Sequence, residues 1–393
     1  MATTNHELLY YIPAGQYGKE GVLALLEQHP EIKFVSLVGI DLAGNDTDEK
    51  IPMSAFFDDY ESFFEGRAVQ TDGSSVVLTN IATLNNARVD MWGDPSVNWF
   101  VDYNYENIDE ATGLPTGTLR IPAFLMHNYR YVDSRSILKN SCDYVRAELL
   151  SLIKEHGLPG MPHVKADDVV DIIFTSATEL EFWVKTPSRT VTKKELSVSQ
   201  KLQEQYWQRT HGTVRPALEK AVERLDQYGM VAEMGHKEVG GVKAKLDEDG
   251  HEAVVLEQLE IDWKFSNNPL QTADNELQAR IIVREVFREN GLDVTFNAKP
   301  IIGVAGSGEH THFGVMAKLK SGKLVNLFSP EDMRKESASS LGIGAIMGLL
   351  KHYEAINPFI SSTTDSLNRL KPGFEAPVCI VTSLGTEIGR ASC

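Results

Sequence analysis

Along the chain, the spacing of apolar and polar positions predicts strands and turns first, then helices alternating with strands. Val22, Leu23, Leu25 and Leu26 recur near helical spacing and predict one short helix over residues 18–29. The β-branched run over 32–41 predicts a strand that stops at the turn-rich Ala43-Gly44-Asn45-Asp46. Residues 102–117 are polar and broken by Gly113-Leu114-Pro115 and Gly117, the pattern of an exposed loop or hairpin, and the domain boundary is placed there, at 115/116. Beyond it, Leu138, Val145, Leu149, Leu152 and Ile153 form the apolar stripe of a helix over 136–156, with Gly157 as its cap. Strands are predicted over 169–174 and 178–184, a long polar helical region over 193–228 stopped by Gly229, and a strand over 230–233. Residues 245–250 read as a hairpin tip between two extended runs. A helix over 273–290 ends at Gly291, strands occupy 293–328, and a glycine-rich helix runs from about Ala338 to before Pro358. The pattern is α/β or α+β, with a smaller β-rich domain over 1–115 and a catalytic-sized domain over 116–393.

Composition narrows the function. The 393 residues carry 38 basic and 55 acidic side chains, a formal net charge of −17, which repels phosphate backbones and anionic lipid. No nucleic-acid partner and no membrane partner is expected. The longest mostly apolar stretch, 341–350, falls well short of the roughly 20 residues that span a bilayer. The first residues have no basic n-region or apolar h-region, so a cytoplasmic location is expected. Cys142, Cys379 and Cys393 are too scattered for a disulfide framework or a zinc pair.

Candidate chemistry concentrates in strand-like segments whose ligand-type residues are two apart, because i and i+2 project from one face of a strand. Glu179 and Glu181 share a face while Leu180 and Phe182 take the other; Gln258 and Glu260 do the same, and His310 and His312 align two imidazoles. Glu233, His236 and Glu238 add an acid-His-acid cluster. Any one of these is an ordinary solvated face. Several carboxylates gathered on one face repel unless a cation neutralises them, and oxygen-rich sites with an occasional His suit Mg²⁺ or Mn²⁺. The glycine-rich run 299–308 lets backbone approach a ligand, and the turn around Asn368-Arg369 carries an arginine suited to carboxylate or phosphate.

In chain order, T-E-L-E-F, E-M-G-H-K-E-V, E-Q-L-E-I, K-P-I-I-G-V-A-G-S-G-E-H-T-H, N-R-L-K-P-G-F-E-A-P-V and G-R-A-S resemble the glutamine synthetase family, and D-G-S-S at 72–75 resembles that family's N-terminal loop. The longer stretch 241–257 is similar to the large bacterial form. The resemblance implies an N-terminal β-grasp domain and a catalytic domain built as a curved antiparallel sheet, a partial barrel with flanking helices. It also implies ATP-dependent joining of ammonia to the glutamate γ-carboxylate through γ-glutamyl phosphate, in a homo-oligomer of stacked hexameric rings with shared active sites.

Carried residue by residue, the resemblance makes Glu181, Glu238 and Glu260 ligands of one divalent cation, and Glu179 and His310 ligands of a second. Glu233, His312 and Arg390 correspond to ATP contacts, Arg369 and Gly306 to glutamate contacts, Glu375 to a flap acid, and Asp72 to the acid that deprotonates ammonium from a neighbouring subunit. Ala305 stands where the family usually has Asn, which opens a ligase for a larger amine as an alternative, and Gly314 stands where it usually has Ser, which removes a nucleotide contact. A catalytically silent member is a further alternative. The family continues past the Arg390 motif to segments that supply another arginine and a third ligand of the second cation, so the expectation is a chain incomplete at its C-terminus, inactive by itself.

Overall fold

The computed structural model describes residues 8–158, 160–161, 164–187, 207–246, 252–302, 305–361 and 363–369. Two compact units divide the chain, Met1–Tyr144 and Val145–Cys393. The first contains β1 (Tyr11–Ile12), α1 (Lys19–Glu27), β2 (Ile32–Gly39), β3 (Ile51–Pro52), α2 (Met53–Asp58), β4 (Gln70–Asp72), β5 (Arg88–Gly93), β6 (Trp99–Ile108), β7 (Pro115–His127) and β8 (Arg130–Tyr131). The sheet order is β1-β6-β7-β2-β3, with β5 pairing with β4 and β7, and β8 with β7. Only β2 and β7 run parallel. Leu37, Val101, Leu119, Ile121 and Leu125 fill its core without solvent exposure.

Two expectations change here. The polar run expected as a loop or hairpin is the β6–β7 hairpin, and β7 is central to the N-terminal sheet, pairing with β2, β5, β6 and β8. A boundary at 115/116 would cut that sheet, so the compact unit extends to Tyr144. The single helix expected is joined by α2 and a 3₁₀ turn over Tyr60–Phe64, elements too short to show a period. They are held instead by aromatic contact, with the Phe56 and Phe63 centroids 5.0 Å apart.

Helix α3 (Ser134–His156) contains the division between the units and ends as expected at Gly157, which takes φ 74° while its N–H caps Ile153 O at 2.8 Å. The second unit follows with β9 (Val169–Pro187), α4 (Val214–Gln227), β10 (Ala232–Leu246), β11 (Glu252–Trp263), α5 (Pro269–Glu289), β12 (Asp293–Thr295), β13 (Glu309–Leu319), β14 (Leu324–Asn326), α6 (Ser340–Lys351), α7 (Tyr353–Ile360) and α8 (Thr364–Arg369). Its sheet is antiparallel throughout in the order β10-β11-β9-β13-β14, with β12 also on β9.

Strand β9 is continuous where two strands were expected. Ser176 exchanges backbone hydrogen bonds with Ser266 at 2.9 and 2.8 Å, and β13 pairs across the same stretch, so the small polar residues at 175–177 do not break it. The glycine-rich helix ends at Lys351 instead, and α7 carries Pro358 inside it. The helical region expected over 193–228 is α4 in its later part; residues 188–206 lie outside the described residues.

Alternation gives the second sheet two unlike faces. Leu180, Phe182 and Val184 from β9 and Leu259 and Ile261 from β11 are buried, as are Ile282, Val283, Val286 and Phe287 of α5. Phe182 meets Phe287 edge-on at 5.5 Å, which places α5 against this face. The helix starts where the sequence stops it from starting earlier: Asn268 accepts from Leu270 N and Gln271 N at 3.2 and 3.4 Å, and Pro269 follows. No helix among the described residues is long and apolar enough to cross a membrane.

Phe287→Ala should destabilise the protein by about 3–5 kcal/mol through loss of buried area and an unfilled cavity, and Asn268→Ala by about 1 kcal/mol through loss of the cap. Chemical denaturation of both variants checks the order of these effects; equal midpoints for the two would contradict the packing of α5.

Candidate active site

The opposite face of the same sheet carries the charge. Antiparallel register sets Glu181 directly across from Glu260, Glu179 across from Asp262 on one side and His310 on the other, and Glu260 across from His236. Four strands therefore deliver acids and imidazoles to one place, because each was two residues from the next on its own strand.

The two imidazoles share one carboxylate. His310 Nδ1 lies 2.9 Å from Glu179 Oε2, and His312 Nε2 lies 2.7 Å from Glu179 Oε1. Burial raises the Glu179 pKa, but hydrogen bonds from His312 and His310 outweigh it and hold the carboxyl below its ordinary value. Beside them, His236 Nε2 is 3.4 Å from Glu260 Oε2 and 3.3 Å from Asp262 Oδ2. Burial lowers the His236 pKa, yet Asp262, the Lys237 carbonyl and Glu238 together raise it.

The remaining acids are in the opposite condition. Glu181 is raised above its ordinary value, first by burial and then by the Glu238 charge. Glu260 is pushed up to about 10 by burial, by a hydrogen bond with Glu238, and by the charges of Glu238, Glu181 and Asp262. Glu181 Oε2 accepts from Gly308 N at 2.8 Å and Gln258 Nε2 at 2.9 Å.

The glycine loop and α8 close one side. Lys299 N donates to Asp365 Oδ2 at 2.7 Å, tying α8 to the loop. A Cβ at Gly308 would meet Arg369 Nη2 and Glu181 Oε1 at 2.9 Å and His310 Nε2 at 3.0 Å, so a larger residue there would displace the ends of these three side chains. Gly308 thus marks the point where the arginine, the buried acid and the first imidazole converge.

Of the residues singled out from the sequence, Glu179, Glu181, Glu238, Glu260, His310, His312, Arg369 and Gly306 come together. Glu179 and His310, expected together, bring ligand atoms within 4.8 Å of each other and of Glu260. His236, Glu260 and Asp262 form a second such group. Asp262 was missed, although it extends the alternation of Gln258 and Glu260 by one step. Glu233 is exposed on β10 next to a register irregularity and joins none of the described ion pairs. Asp72 ends β4 in the N-terminal unit, exposed, its carboxyl held below its ordinary value by Ser74 Oγ and Ser74 N at 2.7 and 2.8 Å. Glu375 and Arg390 lie outside the described residues.

The donor set suits a hard divalent cation. Glu238 Oε2 is buried and has no hydrogen-bond partner among the described residues, and two neighbouring carboxyls have raised pKa values. A cation would relieve both conditions.

Residues 163–385 match the family model for "Glutamine synthetase, catalytic domain". The chain belongs to the glutamine synthetase family. Glutamine synthetase from Sulfolobus acidocaldarius is 35% identical over 159 residues, which cover 40% of this chain and 30% of that protein. Glutamine synthetase from Pyrococcus abyssi is 37% identical over 158 residues, again 40% of this chain and 30% of the relative. The chain thus spans under a third of the length of these curated relatives in the matched region. Among solved structures, Plasmodium falciparum glutamine synthetase superposes with a TM-score of 0.63 at 18% identity, covering 93% of this chain and 66% of that one. A structure titled GmaS/ADP complex superposes at 0.58 and 19% identity, covering 89% and 67%. The fold is that of the family, mixed α and β with a curled antiparallel half-barrel sheet.

The raised carboxyls give a signed pH effect. The folded protein retains protons on Glu181 and Glu260 that the unfolded chain releases near its ordinary value of 4.5, so the unfolded state binds fewer protons above that pH and stability falls as pH rises, through about 10 for Glu260. In chelator, the melting temperature should fall between pH 5.5 and 9; Mn²⁺ should flatten the fall, and Glu260→Gln should reduce it without metal. A chelated melting temperature that climbs across that range would contradict the protonated cluster.

Proposed function

We propose that the protein is an ATP-dependent ligase that joins ammonia to the γ-carboxylate of glutamate, with release of ADP and phosphate. The observation that carries this reading is the convergence of Glu181, His310 and Arg369 around Gly308, beside the clustered carboxyls of Glu238 and Glu260. One Mg²⁺ or Mn²⁺ would be held by Glu181, Glu238 and Glu260, and a second by Glu179 and His310. Bound there, the cations would neutralise charge on the transferred phosphoryl group.

The chain's own residues supply the rest. Arg369 binds the substrate carboxylate by charge-assisted hydrogen bonds, and Gly306 and Gly308 let the substrate lie against backbone. The γ-carboxylate oxygen forms a bond to the ATP γ-phosphorus as the bond to the β–γ bridging oxygen breaks, giving γ-glutamyl phosphate and ADP. His312 and Arg390 hold phosphate oxygens, and Glu233 holds the ribose. Ammonium is not nucleophilic, so Asp72, kept ionised by Ser74, takes its proton. Ammonia then attacks the acyl carbon and phosphate leaves, while Glu375 closes over the intermediate and excludes water. Asp72 belongs to the N-terminal unit, read here as the family's β-grasp domain, and acts on a site of another copy, in a homo-oligomer of stacked six-membered rings.

A ligase for a larger amine is the second reading. Ala305, buried at the edge of the glycine loop, leaves less side chain than the family's usual Asn, and structures titled GmaS share the fold.

Phosphate release with glutamate and ATP should require ammonium, and substituting methylammonium separates the two readings by relative kcat/KM. Glu181→Gln should lower kcat by about 10²-fold or more and weaken Mn²⁺ binding in calorimetry; unchanged Mn²⁺ affinity contradicts the ligand assignment. Asp72→Asn and Glu260→Gln, each nearly inactive alone, should recover part of the activity when their subunits are mixed, since a mixed oligomer contains some sites with both residues intact. An active monomer in sedimentation would exclude the shared site.

A further inference from the structure

Gln258 lies on β11 between the acids and the glycine loop, 1% exposed, and has no part in the chemistry above. Its Nε2 donates to Glu181 Oε2 at 2.9 Å and to the Gly306 carbonyl at 2.8 Å. With two acceptors at that end, the amide orientation is determined, because the flipped form would set oxygen against oxygen. Its Oε1 is buried without a partner among the described residues.

Both groups it holds are otherwise constrained. Glu181 Oε2 also accepts from Gly308 N at 2.8 Å, so that oxygen is occupied and Oε1 is left to turn toward a ligand. Gly306 is wedged where a Cβ would come within 2.7 Å of Arg369 Cγ, and Ser307 N is pinned to Ala298 O at 2.9 Å. A cation drawing on Glu181 would therefore pull on the same amide that sets the Gly306 carbonyl, and a substrate loading that carbonyl would pull back on Glu181.

We infer that Gln258 is a positioning residue that couples the cation-ligating carboxylate Glu181 to the substrate loop at Gly306, so that cation and amino-acid substrate each tighten binding of the other. The inference rests on the proposed roles of those two residues. Linkage makes the coupling reciprocal, and it can be read as a ratio of affinities.

Calorimetric titration of Mn²⁺ into the protein, with and without saturating L-glutamate, measures that ratio. In the wild type, glutamate should tighten Mn²⁺ by about tenfold, within the usual range for coupled sites. In Gln258→Met and Gln258→Glu, neither of which can donate to both acceptors, Mn²⁺ should still bind and the ratio should fall to near one; a purely structural role would lower melting temperature and leave the ratio intact. Gln258→Asn, which keeps the amide and loses one methylene of reach, decides the matter if the other variants do not fold. A ratio near one in the wild type, or an equal ratio in wild type and variants, overturns the inference. Absence of Mn²⁺ binding in the wild type defeats the ligase reading instead.

Discussion

Glu181 and Glu260 face each other across an antiparallel ladder, and like charges at that separation destabilise a sheet unless a proton or a cation lies between them. The structure keeps them there by backbone register. Neither acid can withdraw into solvent, because each side chain is buried on a strand hydrogen-bonded on both edges. The protein without cation satisfies the conflict by retaining protons, and that is the origin of the raised pKa values. The energy that opposes ionisation would be relieved by a divalent ion bound between the two acids.

The apolar face is what makes such register dependable. Leu180 and Phe182 interleave with Glu179 and Glu181, so a one-residue slip of β9 would turn the acids into the α5 interface and the aromatics into the charged face. Packing under α5 thus enforces the charge constellation. A smaller polar network is built beneath β13, where Arg280 of α5 pairs with Glu276 at 2.7 Å and also with Glu309. Burial and the Glu309 charge push Glu276 up to about 8, with Arg280 opposing them. Glu309 immediately precedes His310, so this network braces the strand from the face opposite the imidazoles.

Much of this was legible from the sequence because strands have a period of two. The pairs Glu179/Glu181, Gln258/Glu260 and His310/His312 state their common face without any tertiary information. Their mutual register is not local: nothing in the segments says that Glu260 faces Glu181, or that Glu179 meets both imidazoles. Long elements with a clear period were found, α3 close to its expected bounds and α5 with its end near 290 but its start at Pro269, ahead of the 273 expected. Short ones, such as α2, depend on aromatic packing from distant residues and left no periodic trace. The continuity of β9 through residues 175–177 depends on Ser266, far along the chain, and the break expected there was the local propensity alone.

The same distances govern how the site is completed. The hydrogen bond from Gly308 to Glu181 joins residues 127 positions apart, and the His310 and His312 contacts with Glu179 join residues 131 and 133 apart. Contacts of such separation carry a larger loop-closure cost than the local hairpin of β10 and β11. The pairing of β9 with β11 and β13 is long-range as well, and it is this pairing that brings the imidazoles to the acids. A cation held by Glu179 of β9 and His310 of β13, as proposed above, would bind only where those strands are paired, so metal affinity and the integrity of the sheet between them would be two measures of one equilibrium.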